Sequence, residues 1–226
     1  MSVPVVTIDG PGGSGKGTIS QLLAARLGWH YLDSGALYRV LGLAAQKAGV
    51  PLTDAPSLAD LAHRLRLVFE PQADGSPAHV YLNKQDVSAG LRTEECGRWA
   101  SEVAVLPPVR AALLQKQHDF RRPPGLVADG RDMGTTVFPG AALKIFLTAS
   151  PEVRAGRRYK QLKDKGLNVS LPLLLGEIRE RDARDAGRTA SPLKPAADAE
   201  ILDTSTMSIT EVVNHILARL QPHWVV

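Results

Sequence analysis

Gly10-Pro11-Gly12-Gly13-Ser14-Gly15-Lys16-Gly17-Thr18 is the stretch on which the fold turns. The β-branched run Val3 to Ile8 leads into it and reads as a buried strand. Behind it Ile19, Leu22, Leu23 and Leu27 recur at helical spacing, and Gly28 is placed to end that helix. Between a strand and a helix, glycines let the backbone turn so that several amide N–H groups point at one anion. The helix adds its positive dipole end. Lys16 is then placed to reach the β- and γ-phosphates of a nucleoside triphosphate, with a nearby hydroxyl toward magnesium. The strict pattern G-x-x-x-x-G-K-[ST] is missed by one place, because Gly17 stands where Ser or Thr is expected and Thr18 follows. A chance glycine-rich turn would not come with both flanks, so the loop reads as a nucleoside-triphosphate site.

Working outward, Trp29-His30-Tyr31-Leu32, Leu126-Val127-Ala128-Asp129, Lys144-Ile145-Phe146-Leu147 and Ile201-Leu202 are further short apolar runs separated by helical patterns. That alternation predicts an α/β fold with a largely parallel sheet. One stretch breaks it. Arg66 to Glu70 and His79 to Asn83 are β-like runs flanking the turn signal Asp74-Gly75-Ser76-Pro77, so about 63–92 reads as a small antiparallel insertion. Ser208-Ile209-Thr210-Glu211 is a capping box, followed by the core-facing stripe Val212, Val213, Ile216, Leu217 and Leu220.

Composition sets the outer limits. At 226 residues, 44% hydrophobic and 22% charged, the chain is neither disordered nor fibrous. Its length exceeds one average domain by about half. The net charge of +4 is mild, and arginine outnumbers lysine 18 to 9, which fits a small anionic substrate as well as RNA. Aromatic residues at 5% are too few for a base-stacking platform. The lone Cys96 excludes an intrachain disulfide and reads as a small core residue. No apolar stretch approaches the length of a membrane span, and the N-terminus lacks a signal-peptide pattern, so the expected location is the cytoplasm.

A phosphate loop says what is held, not what is done with it: a small-molecule kinase, a GTPase and a non-catalytic nucleotide module all use one. Asn83-Lys84-Gln85-Asp86 matches the N-K-x-D element that reads guanine. A GTPase also needs D-x-x-G between the two, and every aspartate in the interval fails that pattern. The match is therefore read as the polar end of an insertion strand.

A second set of anion-binding groups favours a kinase. Asp33-Ser34-Gly35-Ala36-Leu37-Tyr38-Arg39 opens a helix after the second strand, capped by Asp33 or Ser34, with Arg39 one turn inside. Asp129-Gly130-Arg131-Asp132 follows the third strand at the edge where α/β ligands bind. Asp129 is where a carboxylate would hold the water shell of magnesium. On a helix continuing from Leu173 to Ile178, Arg181, Asp185 and Arg188 share one face. Ser150-Pro151-Glu152 starts a helix carrying Arg154, Arg157 and Arg158, and the Lys160 to Gly166 stretch that follows reads as polar and mobile. Such a cationic hairpin suits a lid closing over a triphosphate.

With these segments in hand, the chain resembles the bacterial cytidylate kinases of the nucleoside monophosphate kinase superfamily. The resemblance runs from Thr7-Ile8-Asp9-Gly10-Pro11 to Leu202-Asp203-Thr204-Ser205, through Gly15-Lys16-Gly17-Thr18, Leu32 to Arg39, Ala128 to Gly134, Lys144 to Leu147 and Glu180-Arg181-Asp182. It implies a P-loop, three-layer α/β fold with a five-stranded parallel core, a small antiparallel insertion and a lid. The core would comprise residues 1–36, 108–150 and 168–226, the monophosphate-binding region 37–107 and the lid 151–167.

The resemblance also implies ATP contacts along Gly10 to Thr18, and CMP contacts at Ser34, Arg39, Ser101, Arg110, Arg131, Asp132, Arg181, Asp185 and Arg188. Cytosine offers an amino donor beside ring acceptors, which suits Asp132 with Arg110 and Ser101. Arg39 and Arg131 suit the acceptor phosphate, Asp185 and Arg181 the ribose, and Arg188 either phosphate or base. The expected catalytic set is Lys16, Arg131, Arg157, Arg158 and Arg188. Magnesium would arrive with ATP, its water shell held by Thr18 and Asp129, with no direct protein ligand. The expected partners are ATP and CMP or dCMP, without nucleic acid or membrane, and the expected state is a monomer. A kinase of a non-nucleotide metabolite on the same core, such as shikimate kinase, is the competing reading. The long insertion and the Arg181/Asp185/Arg188 face weigh against it, and two anion sites would be superfluous in a regulatory module.

Overall fold

A strand covered by helices on both faces has to be apolar on both, and β1 (Val5–Asp9) is buried at every position in the computed structural model. The structure describes residues 3–72, 74, 76–164, 166–187, 191–220 and 224. From β1 the chain passes through the glycine loop into α1 (Lys16–Leu27), β2 (His30–Asp33), α2 (Ser34–Ala48) and α3 (Ala55–Arg64). The insertion follows as β3 (Leu67–Glu70), β4 (His79–Leu82) and β5 (Gln85–Asp86). Then come α4 (Ser88–Leu91), α5 (Glu94–Val103), α6 (Pro107–His118) and β6 (Leu126–Gly130). A π-helical turn (Met133–Val137), β7 (Leu143–Thr148), α7 (Pro151–Lys163), α8 (Leu171–Ala186), β8 (Glu200–Asp203) and α9 (Ile209–Arg219) complete it.

The main sheet has the order β2-β6-β1-β7-β8 and every pairing in it is parallel. Parallel pairing puts all carboxyl ends on one edge, so Asp9 lies level with Gly130, Asp33 with Asp129, and Thr148 with Asp203. The connection out of β1 runs toward β2, whereas that out of its neighbour β6 runs the other way to β7, and ligands of open α/β sheets bind in the crevice such a switch opens. Helix α1 packs on α9, α2 on α5, α3 on α6, and α7 on α8. Ile8, Leu23, Leu32, Leu37, Leu126 and Ile145 are among the fully buried side chains of the core.

Local signals account for most boundaries. Asp33 caps α2 by accepting from the Ala36 amide, and Ser150 caps α7 by accepting from Val153. Both halves of the Ser208/Glu211 capping box are formed. Cys96 is fully buried, its thiol against the Arg39 carbonyl at 3.4 Å, and burial pushes the thiol pKa up.

Three readings are sharpened. The insertion sheet covers only 67–86; the flanks of the 63–92 interval are the end of α3 and the short α4. It has a third strand, because Asn83 and Lys84, both at positive φ, fold the chain back as a two-residue hairpin turn. Asparagine tolerates that backbone, and Asp86 spends its carboxylate on Ser88 and His79, which disposes of the guanine-reading resemblance. Finally, the polar stretch from Lys160 begins as helix: α7 continues to Lys163, whose ammonium lies 5.7 Å from the Tyr159 ring centre.

Candidate active site

The loop after β1 is shaped by two glycines that no other residue could replace without strain. Gly10 has φ 151°, and a Cβ there would lie 2.1 Å from the Leu147 carbonyl oxygen. Gly15, at φ 93°, is the N-cap of α1 and turns the chain into the helix. The first amides of α1 have no intrahelical acceptor and face the crevice. Lys16 is buried, and its Nζ donates to the Pro11 carbonyl at 3.1 Å. Burial, reinforced by the charge of Arg131, pulls its pKa down to about 7. Burial likewise raises Asp129 to about 7 against the opposing pull of Lys16. Lys16 and Asp129 are thus two poorly solvated titratable groups, each pulled back toward its charged form by the other.

The loop is braced from α7 and β8. Arg154 is 3% exposed; its Nε donates to the Ala149 carbonyl (2.9 Å), its Nη1 to the Gly12 carbonyl (3.1 Å), and it pairs with Asp182 of α8. Arg157 donates to the Ser14 carbonyl (3.3 Å) and to Thr204, whose hydroxyl is within reach of the Ser14 and Thr148 carbonyls. Arg158 donates to Gln161 on its own helix. Of the three arginines on the α7 face, Arg154 is thus a buried clamp on the phosphate loop. Arg154→Ala is expected to cost about 3 kcal/mol and to lower Tm by roughly 6–12 °C in a chain of this size. Thermal unfolding followed by circular dichroism reads this directly, and an unchanged Tm would refute the clamp.

A cavity of about 460 Å³ opens over the loop, lined by Gly12, Gly13, Lys16, Gly17, Thr18, Gln21, Tyr31, Asp33, Arg39, Asp129, Arg131 and Arg181, with Phe69, Val80 and Ser88 of the insertion side closing one wall. A second, of about 90 Å³, is lined by Ser34, Tyr38, Arg39, Ser101, Arg110, Arg131, Asp132, Arg181 and Asp185. Arg39, Arg131 and Arg181 line both. Their guanidinium groups therefore stand at the junction, and those of Arg131 and Arg181 lie about 3.6 Å from where a Gly12 side chain would begin.

Eight of the nine acceptor-side residues named from the sequence thus meet at the small cavity; the ninth, Arg188, lies outside the described residues. Arg110 donates to Asp132 (2.6 Å) and to Ser191 (2.6 Å), and lies 6.0 Å from the Tyr38 ring centre. Arg131 Nε donates to Asp185 (3.0 Å). Ser34 donates to Gln117, Ser101 to the Gly97 carbonyl, and Arg39 to the Leu91 carbonyl. Arg157 and Arg158 do not line either cavity.

Gln21, Tyr31 and Gln117 escaped the sequence reading, because helix and strand periodicity marks them only as interior positions. Gln21 Oε1 and Ser14 Oγ are buried without a hydrogen-bond partner among the described residues. Of these two, Gln21 lines the larger cavity with Thr18 and Asp129, and oxygen donors of that kind suit the water shell of a magnesium ion. Among the described residues no three His, Cys, Asp or Glu side chains gather closely enough to hold a metal themselves. No helix among them is long and apolar enough to cross a membrane.

Two cavities meeting at one cluster of guanidinium groups, beside a phosphate loop heading a parallel sheet, define a P-loop phosphotransferase. The model of the family described as cytidylate kinase matches residues 6–222. Cytidylate kinase from Pseudomonas fluorescens is 58% identical over 220 residues, covering 97% of this chain and 96% of that protein. The Methylococcus capsulatus cytidylate kinase is 57% identical over 222 residues, 98% and 99% of the two chains. The chain belongs to the cytidylate kinase family. It is accordingly a nucleoside monophosphate kinase. Among solved structures, an uncharacterized protein from Eubacterium ventriosum shares the fold at a TM-score of 0.50 and 10% identity, covering 95% of this chain and 96% of that one.

Proposed function

We propose that the protein transfers the γ-phosphoryl group of ATP to CMP and dCMP, with ATP on Gly10 to Thr18 and the acceptor in the small cavity. The observation that carries this reading is the position of Arg39, Arg131 and Arg181 on both cavities at once, where the two phosphates have to meet. The acceptor needs no general base, because a phosphate monoester with a second pKa of about 6 is mostly dianionic at pH 7. What opposes reaction is the repulsion of two polyanions held in line. Lys16, Arg131 and Arg188 neutralise that charge as it shifts onto the transferred group, and preorganised cations do this without reorganising. Arg157 and Arg158 are assigned the same task from the lid side, residues 151–167, once the lid has closed.

Thr18 and Asp129 would hold the water shell of a magnesium ion carried by ATP, which supplies further charge neutralisation when bound. At the base end, Asp132 accepts from the cytosine amino group while Arg110 and Ser101 serve the ring acceptors. Ser34 lies beside the acceptor with Arg39 on its phosphate, and Asp185 with Arg181 takes the ribose hydroxyls. We assign residues 37–107 to the acceptor region and 1–36, 108–150 and 168–226 to the core. Action as a monomer belongs to the same reading, as does a reducing cytoplasmic setting, with which a single buried free cysteine is in keeping.

A coupled assay of ADP release tests the reading. CMP and dCMP should be turned over best, with UMP, AMP and shikimate well behind; faster turnover of shikimate would replace it with the metabolite-kinase reading. In the same assay Asp132→Ala should raise KM for CMP by about 10- to 100-fold, the worth of a hydrogen bond to a charged group. KM for UMP should move far less, since uracil presents an acceptor to Asp132. Equal shifts for both would remove the base-reading role.

A further inference from the structure

Asp9 ends β1 with its carboxylate 5% exposed, and each of its oxygens accepts one backbone N–H. Oδ1 takes the Met133 amide at 2.9 Å and Oδ2 the Gly134 amide at 2.8 Å. These are the first two amides of the π-helical turn Met133–Val137, whose own N-cap residue is Asp132. An aspartate at that position ordinarily turns its side chain back onto such amides. Asp132 makes no side-chain cap here, and its carboxylate faces Arg110 in the small cavity instead.

We propose that Asp9 is a positioning residue for acceptor choice: by capping the turn from the neighbouring strand it keeps Asp132 directed at the nucleobase. The inference rests on the base-reading role given to Asp132 above. Asparagine at position 9 keeps the shape but offers one acceptor oxygen, and its NH2 opposes a backbone N–H. One amide of the turn then lacks an acceptor, and Asp132 is the nearest carboxylate able to supply it by rotating away from the base. The site loses its discrimination while the phosphate-binding groups stay in place.

Asp9→Asn is expected to lower the CMP-to-UMP ratio of kcat/KM by about tenfold or more, as when a polar partner in a reading site is lost. KM for ATP should stay near its wild-type value. Gly134→Ala reaches the same turn from the other side. A Cβ there would lie 2.9 Å from Thr7 Oγ1 and 3.2 Å from Lys144 Cδ, pushing the turn off Asp9. It should reproduce the loss, and it carries the test if the asparagine variant does not fold. The decisive measurement is the double-mutant cycle. Added to Asp132→Ala, Asp9→Asn should change the CMP-to-UMP ratio no further. An equal fall in turnover of both acceptors, with the ratio intact, would leave Asp9 a merely structural residue and overturn the inference. Should Asp132→Ala itself leave the ratio unchanged, the base-reading role fails first, and the two failures are told apart.

Discussion

Arg131→Ala is expected to lower kcat with CMP by about 10³-fold or more, the scale on which an arginine at a transferring phosphoryl group acts. The side chain follows β6 directly and lines both cavities. Its Nε is committed to Asp185 and its Nη1 contacts the Gly130 carbonyl at 3.3 Å, so the fork is held over the junction before any substrate arrives. The fold should survive, since β6 is secured by pairing with both β1 and β2. Circular dichroism should therefore show a folded protein with little activity. Arg131→Lys should recover only part of the rate, because a point charge cannot bond Asp185 and a phosphoryl oxygen in one fixed plane. Undiminished turnover in the alanine variant would take Arg131 out of the catalytic set.

Lys16→Met should lower kcat by about 10²- to 10³-fold, the usual cost of deleting a preorganised charge-stabilising donor. It should also abolish a proton uptake on ATP binding that is expected of the wild type. Burial holds the Lys16 pKa near 7 in the ligand-free protein, so above that pH the side chain is largely an amine. A triphosphate favours the ammonium form and raises the pKa, so binding at pH 8 draws in up to about 0.9 proton. At pH 6 the lysine is already charged and uptake should nearly vanish. Calorimetric titration of ATP in buffers with different ionisation heats measures the protons directly. Equal uptake by wild type and Lys16→Met would assign the proton elsewhere.

The strands were legible wherever an apolar run stopped at aspartate, as at Ile8, Leu32 and Ala128, or ran into a helix start, as Leu147 does before Ser150-Pro151. The cap residues Asp33, Ser150 and Ser208 were legible too, because capping is a contest settled within one turn of chain. β5 was not, since Gln85 and Asp86 are polar and pair with β4 only because Asn83 and Lys84 make the turn. The run of α7 to Lys163 was missed for a related reason: its last turn has little apolar pattern and is supported by side chains four residues apart.

By itself, then, the sequence determined that this protein builds a phosphate loop on a parallel sheet and carries two separate sets of anion-binding residues. Those follow from local rules, since glycine at a turn, lysine in the loop and arginine at strand ends have their meaning within a few residues. Only the tertiary structure decided how the arginines divide their work. Arg154 and Arg157 look alike with Arg158 along one helical face, yet packing turns Arg154 inward onto Gly12 and Asp182, while Arg131 and Arg181 meet across 50 residues of chain at the cavity junction. The same holds for Asp9 and Asp132, each an aspartate ending or following an apolar strand. Which of them caps the turn and which faces the second cavity depends on the register of β1 against β6, a long-range pairing that no local pattern encodes.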